Sequence, residues 1–177
     1  MNIALLILRL VAGGLFAAHG TQKLFGWFGG HGIDGTGAFF EKLGLRPGRA
    51  NAQAAGASEL AAGVLIVFGF LTPFAAILVI AVMTTAIITV HGKNGPWATD
   101  NGYEYNLVLI AIAVGLAGVG AGRFSLDRAF NFDFGGANWA FFALIAGVLG
   151  GYGAVAAGRR EPKAQSPSIK SPPLGSR

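Results

Sequence analysis

Apolar residues in this chain come in long uninterrupted blocks rather than in the short alternating runs of a strand. Nearly uncharged stretches cover residues 2–18, 51–71, 73–90, 107–122 and 138–158, each 16 to 21 residues long. That length is close to the roughly 20 residues a helix needs to cross a bilayer. The pattern predicts an all-α membrane protein with five transmembrane helices, of which the fourth is the shortest.

The first stretch holds nine Leu, Ile, Val or Phe residues together with Arg9. Their insertion free energy, about −3 to −5 kcal/mol, outweighs a cost of roughly 3 kcal/mol for one central arginine. It has no basic leader and only a poor cleavage site, so it reads as a retained span rather than a signal peptide. Steps of seven put Arg9, Phe16 and Lys23 on one stripe, with Gly13 and Gly20 beside it for close helix approach.

Between the spans, residues 24–50 are glycine-rich and aromatic. They predict an interfacial loop carrying a short amphipathic helix over 37–43, with Trp27, Phe28, Phe39 and Phe40 at headgroup depth and His31 facing solvent. Thr72 suits an N-cap and Pro73 the first helical position, so the second and third spans form a tight hairpin. Thr84, Thr85 and Thr89 can bond back to their own helix. Turn signals Gly95-Pro96 and Asn101-Gly102 mark a polar loop, and Tyr103 and Tyr105 are expected as interface anchors. The Pro-, Ser- and Lys-rich residues 159–177 read as a disordered basic tail. The expected organisation is a core over 1–130, an additional helix over 131–158, and that tail.

Composition agrees: 53% of the 177 residues are hydrophobic and 12% are charged. The absence of cysteine excludes disulfides, thiolate metal sites and dithiol chemistry for this chain alone. The formal charge of +5 is mostly a property of the tail: residues 1–158 carry eight Lys or Arg against seven Asp or Glu, and the last nineteen carry five against one. Basic residues beside a span act as topology determinants or anionic-lipid contacts, so no nucleic-acid partner is expected.

Ionisable groups inside spans are expensive and mark pathways, relays or bound polar groups. Alternating spans bring His19, Lys23, Glu59, His91 and Glu104, with Asn106, to one leaflet, where they are candidates to line a polar pocket. Arg9 is a further candidate, but it lies about 15 Å deeper than His19 along its helix and can instead reach the opposite face. A His-Gly with a following Lys and then a Glu-opened helix occurs twice, as in a parallel repeat with a site between the halves. Against these stand plainer roles: Lys23 and Glu104 at the interface, histidines capping helix ends, and Arg9 with Glu59 as a structural ion pair. Two histidines and two carboxylates could supply metal ligands, but their spacing fits no dedicated motif, and no metal is assigned.

The ordered set Arg9-Leu10, His19-Gly20, Lys23-Leu24, Glu59 with Gly63, Leu65 and Gly69, His91, Glu104 with Asn106, and Gly122 followed by Ser125-Leu126-Asp127 resembles the DoxX family of small bacterial membrane proteins over residues 3–128. The resemblance implies a four-helix membrane bundle, to which the last span and tail are an addition. It also implies a membrane subunit associated with redox enzymes, the family being named after a subunit of a thiosulfate:quinone oxidoreductase. Without cysteine, the mechanism of cysteine-using quinone reductases does not carry over.

The leading expectation is a redox-associated subunit whose pocket takes a quinone head group, with electrons from a protein partner. His can exchange a proton, Lys or Arg can hold developing negative charge, and a carboxylate can relay protons. The alternatives are a small-solute or proton pathway and a non-catalytic anchor or assembly subunit; oligomerisation is left open. Positive-inside bias places the pocket and C-terminus on the cytoplasmic face of the bacterial inner membrane, with the N-terminus outside.

Overall fold

The computed structural model describes residues 2–159; apart from Arg159, the tail expected to be disordered lies outside the described residues. The described chain is helical: α1 Asn2–Phe25, α2 Gly32–Lys42, α3 Gly48–Phe68, α4 Thr72–Ala86, α5 Glu104–Val119, a single turn α6 Leu126–Ala129, and α7 Ala137–Gly158. Continuing through a π-helical turn, Ile87–His91, α4 delivers His91 at its end. Four helices are long and apolar enough to cross a membrane: α1, α3, α4 with its continuation, and α7. The fifth apolar helix, α5, is shorter at 16 residues.

α1 runs seven residues beyond the apolar stretch that predicts it, so His19 through Lys23 belong to the helix instead of ending it. The amphipathic helix after it is also longer than the sequence suggests, beginning at Gly32.

The helices pack through small residues. A methyl placed on Gly13 would lie 2.8 Å from the Gly63 carbonyl oxygen, and one on Gly20 would lie 2.5 Å from the Leu60 nitrogen. Thus α1 and α3 touch backbone to backbone along an antiparallel seam, as helices in lipid tend to when small side chains permit. A second seam joins α4 to α7, where a methyl on Gly147 would come 2.5 Å from Ile80 Cβ and one on Gly151 would come 2.6 Å from Thr84 Cβ. Occupying the centre, α4 packs on α3, α5 and α7, whereas α3 and α7 flank it and scarcely meet each other. The core between them is alanine-rich, with Ala62, Ala75, Ala76, Ala113, Ala117 and Ala143 around Phe16, Ile80 and Leu116. Larger apolar side chains such as Ile7, Leu15, Phe141, Ile145 and Leu149 point outward. In water this would be a liability; in hydrocarbon it is the ordinary lipid-facing surface.

The α3–α4 hairpin forms where the sequence predicts it, but its cap comes from elsewhere. Leu71 takes a left-handed conformation (φ 49°), and the Asp127 carboxylate accepts hydrogen bonds from the Leu71 and Thr72 amides at 2.7 and 3.1 Å and from the Thr72 hydroxyl at 2.5 Å. Thr72 is therefore a donor to the cap rather than the cap itself. A carboxylate suits this place because a helix N-terminus offers free amides and partial positive charge.

Candidate functional site

Lys23 and Glu59 meet across the α1–α3 seam. Gly20, facing α3 directly, brings the two backbones close, and Gly56 is packed by the Leu24 and Lys23 side chains. The Lys23 ammonium donates to both Glu59 oxygens, at 2.6 Å to Oε1 and 2.5 Å to Oε2. The two ends of the pair differ in surroundings: the Lys23 side chain is 26% exposed and that of Glu59 only 3%. A carboxylate so enclosed needs a cation and hydrogen bonds to stay ionised, and Lys23 supplies both.

Beside this pair is a cavity of about 420 Å³ between α3 and α7, floored by α4. Ala54, Ala55 and Ser58 line it from α3, Leu78, Val82, Thr85 and Thr89 from α4, and Gly150 and Ala154 from α7, with Phe39 and Phe40 of α2 at one end. His91 also faces it, and its Nδ1–H donates to the Asn101 carbonyl oxygen at 2.7 Å, since that partner can only accept. The Thr85 and Thr89 hydroxyls are bonded to the Ala81 and Thr85 carbonyls, so the α4 floor is largely apolar despite its threonines. The result is an apolar slot with an ammonium, a carboxylate and an imidazole towards one end.

The other sequence candidates go elsewhere. His19 is exposed. Glu104, also exposed, accepts from the Ala98 amide at 2.9 Å and closes the loop before α5. Asn106 is buried against α4, its amide donating to the Met83 sulfur at 3.4 Å. The two halves of the suspected repeat thus have different surroundings, and the two histidines and two carboxylates do not gather; among the described residues no three His, Asp or Glu side chains are grouped to hold a metal.

Arg9 is at the opposite end of the molecule and is not Glu59's partner. It is 1% exposed and donates through Nη2 to the Phe124 carbonyl, while its Nη1 rests against Gly69. Asp127 stands near it as the α4 cap. Gly69, left-handed at φ 60°, cannot bear a side chain there, since a methyl would run into the guanidinium.

Ser58 and Asn51 line the cavity, as do Thr85 and Thr89, which the sequence offered only as bonding back to their own helix. The threonines carry one usable signal, their four-residue spacing, which places the two on one face of α4.

Comparison with known proteins bears on this arrangement. The DoxX family model matches residues 4–92, half of the chain, from α1 through the π turn that ends in His91. The chain belongs to the DoxX family. Among DoxX relatives it is 32% identical over 128 residues to a protein of Haemophilus influenzae described as "Uncharacterized protein", covering 71% of this chain and 82% of that one. It is 35% identical over 117 residues to a Bacillus subtilis protein described as "Putative oxidoreductase CatD", covering 66% of this chain and 81% of the relative. No solved structure matches it. The DoxX match includes Lys23, Glu59 and His91, whereas α5 and α7 lie outside it.

Proposed function

We propose that this DoxX-family protein is a redox-associated membrane subunit and that the slot beside Lys23 and Glu59 takes the head group of a quinone. The observation that carries the reading is the pairing of a sealed carboxylate with a partly open ammonium on the wall of an otherwise apolar cavity of about 420 Å³. Such sites combine apolar walls with a few convergent polar groups. The oxidoreductase name of the Bacillus relative supports the same direction.

A quinone becomes a quinol by taking two electrons and two protons. The electrons would come from a redox centre of a partner protein, and the protons from the aqueous face. Within this chain, Lys23 would stabilise negative charge developing on a quinone oxygen, Glu59 would hold Lys23 in place and accept or release a proton, and the His91 imidazole would serve the same exchange from α4. The slot lies between α3 and α7, which scarcely meet each other, so a lipid-soluble molecule could reach it sideways from the bilayer.

The reading also takes α5 as a fifth span. Its 16 residues extend about 24 Å at the usual rise, and a crossing there is what lets α7 return antiparallel to α5. The slot and the C-terminus are then cytoplasmic by charge bias. A C-terminal reporter fusion tests this: a cytoplasmic signal is expected, and a periplasmic one overturns the five-span orientation.

For the site itself, the protein is purified in mild detergent and its bound quinone extracted and quantified. Wild type is expected to retain quinone, and Glu59→Gln to lose about tenfold in occupancy, the order expected when one hydrogen-bonded charge is removed. A wild-type protein without quinone, or equal occupancy in the variant, ends the quinone reading. If Glu59→Gln lowers only thermal stability while partner activity persists, the pair is a helix tie and the protein an anchor.

A further inference from the structure

A second cavity, of about 340 Å³, lies on the other side of Lys23. It is lined by Gln22, Gly29, Gly30, His31 and Thr36, and it shares Lys23, Phe39 and Phe40 with the first. The chain builds it in a definite way. Past the end of α1, Gly26 turns left-handed (φ 73°) and the chain folds back over Gln22, whose amide donates to the Phe28 carbonyl at 3.1 Å. Gly30 lies so close to Gln22 that a methyl there would overlap it. This fold-back puts Trp27 and Phe28, which are 58% and 73% exposed, at the outer rim. Aromatic rings so displayed at the end of a span belong at headgroup depth, so the second cavity sits where water meets the membrane.

Its inner wall is fixed by α2. Gly37 and Gly48 are in backbone contact, which seats α2 against the start of α3 and holds Phe39 and Phe40 between the two cavities. Lys23 is the one ionisable residue that lines both. The unequal exposure of the ion pair follows from this: the ammonium borders the outer cavity as well as the inner one, whereas Glu59 borders only the inner.

We propose that the outer cavity is an aqueous antechamber through which water and protons reach the Lys23–Glu59 pair, with Phe39 and Phe40 as the partition that keeps bulk water out of the inner slot. The titratable groups along the route are His31 from the fold-back, Lys23 from α1, Glu59 from α3 and His91 from the end of α4. A proton leaving the Lys23 ammonium for a base in the slot is replaced by one from hydronium in the antechamber, which becomes water, so the pair regains its starting charge. The proposal extends the slot reading but requires no redox chemistry.

The absence of cysteine makes a direct test available. Gln22→Cys places a thiol in the antechamber, Ser58→Cys and Ala55→Cys place one in the slot, and Lys42→Cys gives an exposed control. Each variant in native membrane vesicles of both orientations is treated with a charged, membrane-impermeant maleimide and with neutral N-ethylmaleimide; the ratio of the two rates cancels differences in thiolate content. Gln22→Cys should show a charged-to-neutral ratio within about threefold of the Lys42→Cys control, and the slot thiols a ratio at least about tenfold lower. Adding Phe39→Ala should raise the ratio for Ser58→Cys and Ala55→Cys towards that of Gln22→Cys. If Gln22→Cys excludes the charged reagent while Lys42→Cys accepts it, there is no aqueous antechamber. If both slot thiols accept it with Phe39 in place, there is no partition. Neither outcome depends on whether the slot takes a quinone.

Discussion

At the scale of single residues, the two buried carboxylates among the described residues have different kinds of partner. Glu59 has one cation and Asp127 has three donors, and the cost of losing a partner differs accordingly. Lys23→Met leaves the Glu59 carboxylate sealed and unpaired, which should cost about 3 kcal/mol, the low end for breaking a buried pair because Lys23 is partly open. Combining it with Glu59→Gln should recover most of that loss, as removing both charges removes the uncompensated one. Thermal unfolding of the two single variants and the double variant in detergent measures this, and strict additivity would mean the pair is not coupled. Asp127→Ala strips the α4 N-terminus of its acceptor and Arg9 of its nearest carboxylate, for an expected loss of about 2 to 4 kcal/mol by the same measurement, with Asp127→Asn milder because its oxygen still accepts. The sequence makes Lys23, Glu59 and His91 legible as neighbours because alternating spans fix their level. The helical rise also lets Arg9, about 21 Å from Lys23 along α1, be read as reaching the opposite face, but nothing in the sequence names the Phe124 carbonyl as its acceptor. His19 fails for an angular reason: at about 100° per residue it lies a full step round from Gly20, which faces α3, while Lys23 is about 60° away and long enough to reach back.

At the scale of elements, glycine decides which helices pair. Gly63→Ala would press its methyl into the Ala17 backbone and force α1 from α3, lowering the melting temperature and loosening the Lys23–Glu59 contact with it. Gly14, one position from the seam, has open space around its Cα. Gly14→Ala should leave stability unchanged or raise it by about 0.5 to 1 kcal/mol through helix propensity. Comparing the two variants in one detergent separates packing from propensity, and equal losses would remove the seam as the explanation. The seam on α1 is visible in the sequence as Gly13 and Gly20 seven residues apart. Its other half, Gly56 and Gly63 at the same spacing, becomes meaningful only once the antiparallel pairing is known. The Asp127 cap was not readable in advance, since its 55-residue separation from Thr72 carries no local signal.

At the scale of the whole molecule, α7 is more than an appendage to the family core. The DoxX match ends at residue 92, yet α7 lies along α4 through Gly147 and Gly151, packs on α5, and supplies one wall of the slot. A chain truncated after residue 136 should therefore lose the slot as well as a helix. Ser58→Cys in that background is expected to label with N-ethylmaleimide several-fold faster than in the full chain, because its lipid-side cover is gone. An unchanged rate would mean that α7 does not wall the slot. The apolar blocks announced the five long apolar helices; which helix closes which cavity depended on small residues whose partners are remote in the chain.

Where the slot ends towards water, the Arg46 amide donates to the Gly158 carbonyl, and a methyl on Gly158 would press on Leu45 and Asn51. The latch is made of main chain, so the Arg46 side chain can vary without releasing it while Gly158 cannot. It also makes the last turn of α7 and the corner between α2 and α3 a single mechanical joint. A force applied at residue 158 would therefore bear first on Leu45 and Asn51, both of which line the slot.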